Sequence, residues 1–197
     1  EAVEQGAVRR SSRLRTFAAL VSAILLPIAG MRAQEPKASE LDFAHGLYGR
    51  KEFNLAADEY QNFLRKAPTG TLAEEARFFL AESLVQLKRP VEALENYAVL
   101  TADGDPGRRH YRMALYRTGE IQFDRNDIEK SAQAMRKFIA QFPGDPILSR
   151  AQYMLGEAEF SAGRFAEAEA VFAEAAKSTT AAIANTAKLG RAKALAR

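Results

Sequence analysis

The residues that most often carry enzyme or metal chemistry are few in this sequence. It has two histidines, His45 and His110, and no cysteine, which excludes zinc–thiolate sites and cysteine nucleophiles. Neither histidine lies in a His-Glu-x-x-His motif, and Asp103-Gly-Asp105 lacks the spaced oxygen ligands of a calcium loop. No Gly-x-Ser-x-Gly nucleophile motif occurs. The sequence therefore predicts a protein that is not an enzyme and that has no metal site and no cofactor.

Three sets of side chains suited to binding a protein recur at regular intervals. Within each interval they stand at positions i, i+4 and i+7, so they lie on one face of a helix. The first set is Leu41, Phe78, Tyr116 and Tyr153; the second is His45, Glu82, Glu120 and Glu157; the third is Tyr48, Val85, Phe123 and Phe160. Aromatic side chains beside carboxylates can anchor a peptide and orient its lysine, arginine or free amine.

The net charge of +3 is located at the start of the chain. Residues 1–33 contain five arginines and two glutamates, whereas residues 34–197 contain 23 basic and 23 acidic residues. A protein that binds a phosphate backbone presents a basic surface, and the neutral region 34–197 does not predict one. We therefore expect no nucleic-acid partner.

The first 33 residues have the order of a secretory signal peptide. Arginines at 9–15 precede an uncharged apolar run at 17–29, and Ala33-Gln34 follows it. The run has 13 residues, whereas a membrane-spanning helix needs about 20. We expect export to the periplasm and cleavage near Ala33. The alternative is an uncleaved leader that anchors the chain in the inner membrane, because Met31 suits the peptidase poorly. Membrane contact is expected only through such a leader.

The rest of the chain repeats itself, and repeats of this length indicate a stack of similar units. Four small residues are spaced by 37, 38 and 37 positions: Ala56, Ala93, Ser131 and Ala168. Each is followed four residues later by a large apolar side chain: Tyr60, Tyr97, Met135 or Phe172. Twelve residues before each stands a second small residue: Ala44, Ala81, Gly119 or Gly156. Small residues at these points let paired helices approach closely.

Each unit is therefore predicted to be a pair of helices, and such units bury their apolar faces by stacking. Thr71-x-x-Glu74 has a capping-box pattern, and Asp145-Pro146 predicts an N-cap followed by the first helical residue. The predicted helices are 39–50, 53–66, 72–87, 90–101, 109–124, 127–141, 146–162, 165–177 and 181–195.

The repeat resembles the tetratricopeptide family over about residues 37–197. The family pattern is most complete in the fourth unit, in Leu155-Gly156, Ala168, Phe172 and Ala175. The long linkers resemble exported bacterial envelope members, of the Tol–Pal-associated periplasmic type and the outer-membrane assembly lipoprotein type. The resemblance implies an all-α, right-handed superhelical solenoid of four helical hairpins plus one further helix. The predicted organisation is a signal peptide (1–33), a short linker (34–38) and a repeat domain (39–197), with units at about 37–70, 74–107, 112–145 and 149–182 and a partial fifth at 183–197.

The resemblance also implies a concave groove lined by the first helix of each hairpin. The predicted partner-binding residues are Tyr48, Phe78, Glu82, Tyr116, Glu120, Phe123, Tyr153, Glu157 and Phe160. If the three glutamates are exposed, replacing them all with glutamine should leave stability nearly unchanged. Helical spacing leaves a second possibility open, in which the aromatic residues are buried between adjacent hairpins and the glutamates are solvated.

The function expected from these observations is a non-enzymatic scaffold or adaptor of the bacterial cell envelope. It would bind a protein or peptide partner in the concave groove. Two alternatives remain: the chain is the N-terminal recruitment module of a larger enzyme or regulator, or it is a structural repeat that self-associates.

Overall fold

The computed structural model of this protein describes residues 38–197, and helices account for most of them. The nine helices of this region are α1 (Ala38–Gly49), α2 (Phe53–Lys66), α3 (Thr71–Gln86), α4 (Pro90–Thr101), α5 (Tyr111–Asp124), α6 (Ile128–Gln141), α7 (Leu148–Ser161), α8 (Phe165–Ala175) and α9 (Ala181–Leu195). Their ends differ from the predicted ends by at most two residues. The all-α repeat prediction is confirmed. The predicted signal peptide and its cleavage point lie outside the described residues.

Two helix starts for which the sequence predicts side-chain caps, those of α3 and α7, are not capped in that way. Thr71 is the first residue of α3 rather than its cap, and no side chain caps that helix. Asp145 does not begin α7 directly: its carboxylate accepts a hydrogen bond from the Ile147 N–H at 2.9 Å, within a turn. Helix α7 therefore begins two residues later than predicted, at Leu148.

All four turns inside the hairpins have the same backbone geometry. In each, the N–H of the residue before the second helix donates to a carbonyl five residues earlier, as Arg164 does to Glu159 at 2.9 Å. Such a turn needs one residue in the left-handed region, where glycine has the lowest cost. Only the fourth hairpin uses glycine at this position. In the four turns, the residue with positive φ is Lys51 (65°), Lys88 (60°), Asn126 (63°) or Gly163 (78°).

The small residues of the repeat lie where the two helices of a hairpin meet, as their spacing predicts. Ala44, Ala81, Gly119 and Gly156 are all buried. A Cβ added to Gly156 would lie 2.6 Å from the ring of Phe172, and a Cβ on Gly190 of α9 would lie 2.7 Å from the same ring. The ring is thus held between two glycines, which ties α7, α8 and α9 together.

The first helices of the hairpins (α1, α3, α5, α7) and α9 form one side of the stack. Helix α1 contacts α3, α5 contacts α7 and α7 contacts α9, whereas within residues 38–197 neither α3 and α5 nor any two second helices are in comparable contact. We call this side the inner face. No helix in the described region combines the length and apolar character needed to cross a bilayer.

Candidate partner-binding surface

The predicted site residues lie on first helices, but neighbouring hairpins cover them unequally. Tyr116 is 2% exposed and Glu82 is 6% exposed. The other seven are partly exposed: Tyr48, Phe78, Glu120, Phe123, Tyr153, Glu157 and Phe160. The three sets of the sequence pattern therefore do not form three uniform rows on the surface.

Glu82 is the centre of a buried polar network that joins three helices. Its carboxylate accepts a hydrogen bond from the Tyr97 hydroxyl of α4. It also accepts two from Arg117 of α5, from Nε at 3.0 Å and from Nη2 at 3.1 Å. The remaining Arg117 nitrogen, Nη1, donates to Glu120 at 2.8 Å. Glu82 is thus neither exposed nor solvated, which contradicts the premise that all three glutamates are exposed.

The charges in this network shift the pKa values of its members in consistent directions. Burial, and then the adjacent Glu82 carboxylate, raise the pKa of the Tyr97 phenol. For Arg117, burial acts to lower the pKa, but hydrogen bonds and charge from Glu120 and Glu82 outweigh burial and raise it. The arrangement therefore holds Tyr97 neutral and Arg117 charged at any physiological pH.

Two aromatic residues of the first set, Phe78 and Tyr116, pack between adjacent hairpins. The Tyr116 hydroxyl contacts the Met154 sulfur of α7 at 3.4 Å. Phe78 stacks on the ring of His110, with ring centroids 4.6 Å apart. Burial, and then the charge of Arg109, lower the pKa of His110. These side chains join one hairpin to the next, as the second possibility of the sequence pattern describes for aromatic residues.

Tyr48, Phe160 and Tyr153 are partly exposed, and each packs against another aromatic ring. Tyr48 packs against Phe53 at 5.5 Å between ring centroids. Phe160 packs against Phe165 at 5.2 Å, and Tyr153 against Phe172 at 5.8 Å. The partly exposed part of the predicted site is therefore densest on α5 and α7, where it comprises Glu120, Phe123, Tyr153, Glu157 and Phe160.

Arginines on and beside the first helices were missed by the sequence pattern. Arg117 lies between Glu82 and Glu120, and Arg112 pairs with Asp145 of the following linker at 2.5 Å. Arg109 pairs with Glu75, which also lies 3.5 Å from His45 Nε2. The spacing of Arg117 and Glu120, three residues apart on a helix, was a usable signal for one of these pairs. The pairs between hairpins had no local signal.

Two family models decide what kind of repeat this is. One tetratricopeptide repeat model matches residues 113–145, and a second matches residues 41–109 and 149–185. The chain belongs to the tetratricopeptide repeat family. Tetratricopeptide repeat proteins are generally non-enzymatic modules that bind protein or peptide partners, and some self-associate. Among curated proteins, none matches this chain in sequence.

Solved tetratricopeptide-type structures share the fold. A MamA structure (residues 41 to the end) from Desulfovibrio magneticus RS-1 has a TM-score of 0.62 and is 15% identical, covering 80% of this chain and 92% of its own. A putative kinesin light chain from Podosopora anserina with nearly identical TPR-like repeats has a TM-score of 0.61 and is 12% identical, covering 80% of this chain and 84% of its own. At these identities the likeness concerns the fold alone.

Proposed function

We propose that this chain is a non-enzymatic adaptor that binds a protein or peptide partner on its inner face. The observation that supports this most is the group of partly exposed residues on α5 and α7: Glu120, Phe123, Tyr153, Glu157 and Phe160. They belong to adjacent first helices that contact each other directly. A partner that lies across these two helices can reach the whole group.

The aromatic side chains of this group are held in place before any partner arrives. Tyr153 rests on Phe172 of α8, and Phe160 rests on Phe165. An anchoring side chain that is already fixed loses little conformational freedom on binding, so more of its contact area contributes to affinity. Burial of the exposed edges of Tyr153, Phe160 and Phe123 would supply the apolar part of the interaction.

The carboxylates of the group suit a cationic partner segment to different degrees. Glu120 already accepts a hydrogen bond from Arg117. Glu157 occupies the equivalent position of α7 and forms no ion pair among the described residues. Glu157 is therefore the better candidate for orienting a lysine, an arginine or a free amine of the partner. Glu82 has a structural role between α3, α4 and α5.

We further propose that the chain is exported and works in the bacterial cell envelope. The order of arginines, a 13-residue apolar run at 17–29 and small residues supports a signal peptide. The test is expression of the whole chain in a Gram-negative host, followed by mass spectrometry of the periplasmic fraction. The expected N-terminus lies near Gln34. Recovery of only the uncleaved chain, in the membrane fraction, would favour the anchored alternative.

The binding proposal can be tested before the natural partner is identified. Peptides are selected from a random displayed library on the immobilised whole chain, and the affinity of a selected peptide is measured by calorimetry. We expect selected peptides to combine an apolar side chain with lysine or arginine. The double variant Tyr153→Ala and Phe160→Ala should weaken binding at least tenfold at any salt concentration, because it removes buried area. Glu157→Gln should weaken binding less, and its effect should fade as salt screens the charge.

A matched control separates the inner face from exposed aromatic surface in general. Phe43 of α1 is 56% exposed and belongs to none of the three sets. Phe43→Ala should therefore leave the affinity unchanged, and circular dichroism should show the same helix content in every variant. If the double variant on α7 keeps full affinity while Phe43→Ala loses it, the inner face is not the binding surface.

A further inference from the structure

A cavity of about 380 Å³ lies on the side away from the inner face, between α4, α5 and the start of α6. We call it the α4–α5 notch. Its floor and walls include Val91, Leu94 and Ala98 of α4 and Thr118 and Gln122 of α5. None of the nine predicted groove residues lines this cavity. The notch and the predicted groove are therefore separate surfaces.

The notch contains a polar atom that lacks a hydrogen bond. Gln122 Oε1 is buried and accepts no hydrogen bond within the described residues. A buried acceptor of this kind is rare in folded proteins, and leaving it unpaired is costly. A hydrogen-bond donor at the end of a long side chain could pair with this acceptor while the rest of that side chain lies along the apolar residues of the notch.

The same junction one repeat later shows which donor fits there. The residue equivalent to Gln122 is Glu159, 37 positions on, and the residue equivalent to Ala98 is Arg136, 38 positions on. Glu159 is 1% exposed, and its carboxylate accepts hydrogen bonds from the guanidinium groups of Arg136 and Arg164. In the third-to-fourth junction, an arginine of α6 thus fills the space that the methyl group of Ala98 leaves open in the notch.

We infer that the α4–α5 notch binds an arginine side chain of a partner protein. The methylene groups of the arginine would lie along Leu94, Val91 and Ala98, and its guanidinium would donate to Gln122 Oε1 once the side-chain amide turns toward the notch. Arginine suits the notch better than lysine because its planar group offers several donors and is more weakly hydrated. Two carboxylates, Glu95 and Asp127, line the same cavity.

Two cations of this chain also line the notch, and they limit the affinity. Arg125 lies 3.5 Å from Asp127 in an ion pair, so its charge is largely balanced locally. Lys130 lies on α6 and is exposed. A single arginine is therefore expected to bind weakly, and the notch would contribute one anchor within a larger contact.

The notch can be tested with a small probe on the whole chain. N-acetyl-arginine N-methylamide is titrated into the isotopically labelled protein, and chemical shifts are followed by NMR. The neutral citrulline analogue and the corresponding lysine derivative are the comparison probes. We expect saturable shifts from the arginine probe at Ala98, Thr118 and the Gln122 side-chain amide, and much smaller shifts from the two comparison probes.

Two variants copy features of the next repeat into the notch. Gln122→Glu introduces the acceptor found at Glu159 and should tighten binding of the arginine probe about fivefold, because hydrogen bonds to charged groups are stronger. Ala98→Arg places the side chain of Arg136 in the notch and should abolish the saturable shifts. Ala98 is exposed, so this variant is expected to fold, and its melting curve checks that it does.

A control arginine on an exposed position of α6, Ala140→Arg, should leave probe binding unchanged. Shifts that do not saturate, that occur elsewhere, or that survive in folded Ala98→Arg would overturn the inference. The Tyr153 and Phe160 double variant should bind the probe normally. Failure of the notch and failure of the inner-face proposal are therefore distinguishable.

Discussion

Glu82→Gln is the substitution for which the structure and the sequence pattern predict the most different effects on stability. The sequence places Glu82 beside Glu120 and Glu157 as an exposed carboxylate, and for such a residue a glutamine costs little. In the structure the side chain is buried and accepts hydrogen bonds from Tyr97 and Arg117. Glutamine keeps the shape and can still accept from Tyr97. It removes the negative charge that balances Arg117, and its NH2 group cannot accept the second Arg117 bond.

The expected loss of stability can be estimated from the ion pair that Arg117 loses. Breaking a fully buried ion pair by removing one partner costs about 3–5 kcal/mol. Arg117 is more than a third exposed and keeps Glu120 at 2.8 Å, so water and that second carboxylate compensate part of the loss. We therefore expect Glu82→Gln to lower the free energy of unfolding by about 2 kcal/mol. In a domain of this size that corresponds to a fall in Tm of about 4–8 °C.

Urea denaturation and thermal melts followed by circular dichroism measure this change, with Glu157→Gln as the matched control. The control replaces the equivalent, partly exposed carboxylate of α7 and should change stability by less than about 0.5 kcal/mol. The denaturant m-value should be the same in both variants if unfolding remains a single transition. Equal stability of the two variants would refute the structural role of Glu82.

Three further predictions test the packing, the turns and the partly buried His110. Gly156→Leu should destabilise the protein by about 1–3 kcal/mol in thermal melts, because the Phe172 ring beside it is held on its other side by Gly190 and cannot move away; an unchanged Tm would contradict the assigned contact. Lys88→Gly should stabilise by up to about 1 kcal/mol, since φ at this position is 60° and glycine adopts that conformation at lower cost; a fall in Tm would contradict this. Burial lowers the pKa of His110, so folding favours its neutral form. The contribution of His110 to stability should therefore be full above the ordinary histidine pKa and should decrease as the pH falls below it. His110→Phe should reduce this loss of stability between pH 7.5 and 5.5. Parallel pH curves for the variant and the original chain would show that His110 does not contribute.

The sequence was sufficient to predict the helices because small and large residues recur with the repeat period. The pairing of Gly156 with Phe172 follows from that spacing and holds in the structure. The starts of α3 and α7 were less predictable, since Thr71 and Asp145 each had alternative local arrangements. In the structure Asp145 binds the Ile147 N–H and Arg112 instead of opening a helix directly.

The exposure of the candidate site depended on contacts that a single helix does not encode. Glu82, Glu120 and Glu157 occupy equivalent positions, yet only Glu82 is buried. The difference comes from the neighbours: Arg117 of the next hairpin pairs with Glu82, and Tyr97 stands where the next repeats have Met135 and Phe172, neither of which can donate a hydrogen bond to a carboxylate. Helical spacing identifies the face of each first helix, whereas the helices packed against it, from its own hairpin and from the next, decide which of its side chains remain available.

The most direct test of the inner-face proposal is an NMR footprint of a library-selected peptide on the whole labelled chain. We expect the largest shift changes on α5 and α7, at Phe123, Tyr153, Glu157 and Phe160, with the second helices little affected. Largest changes on α2, α4, α6 and α8, with α5 and α7 unperturbed, would contradict it.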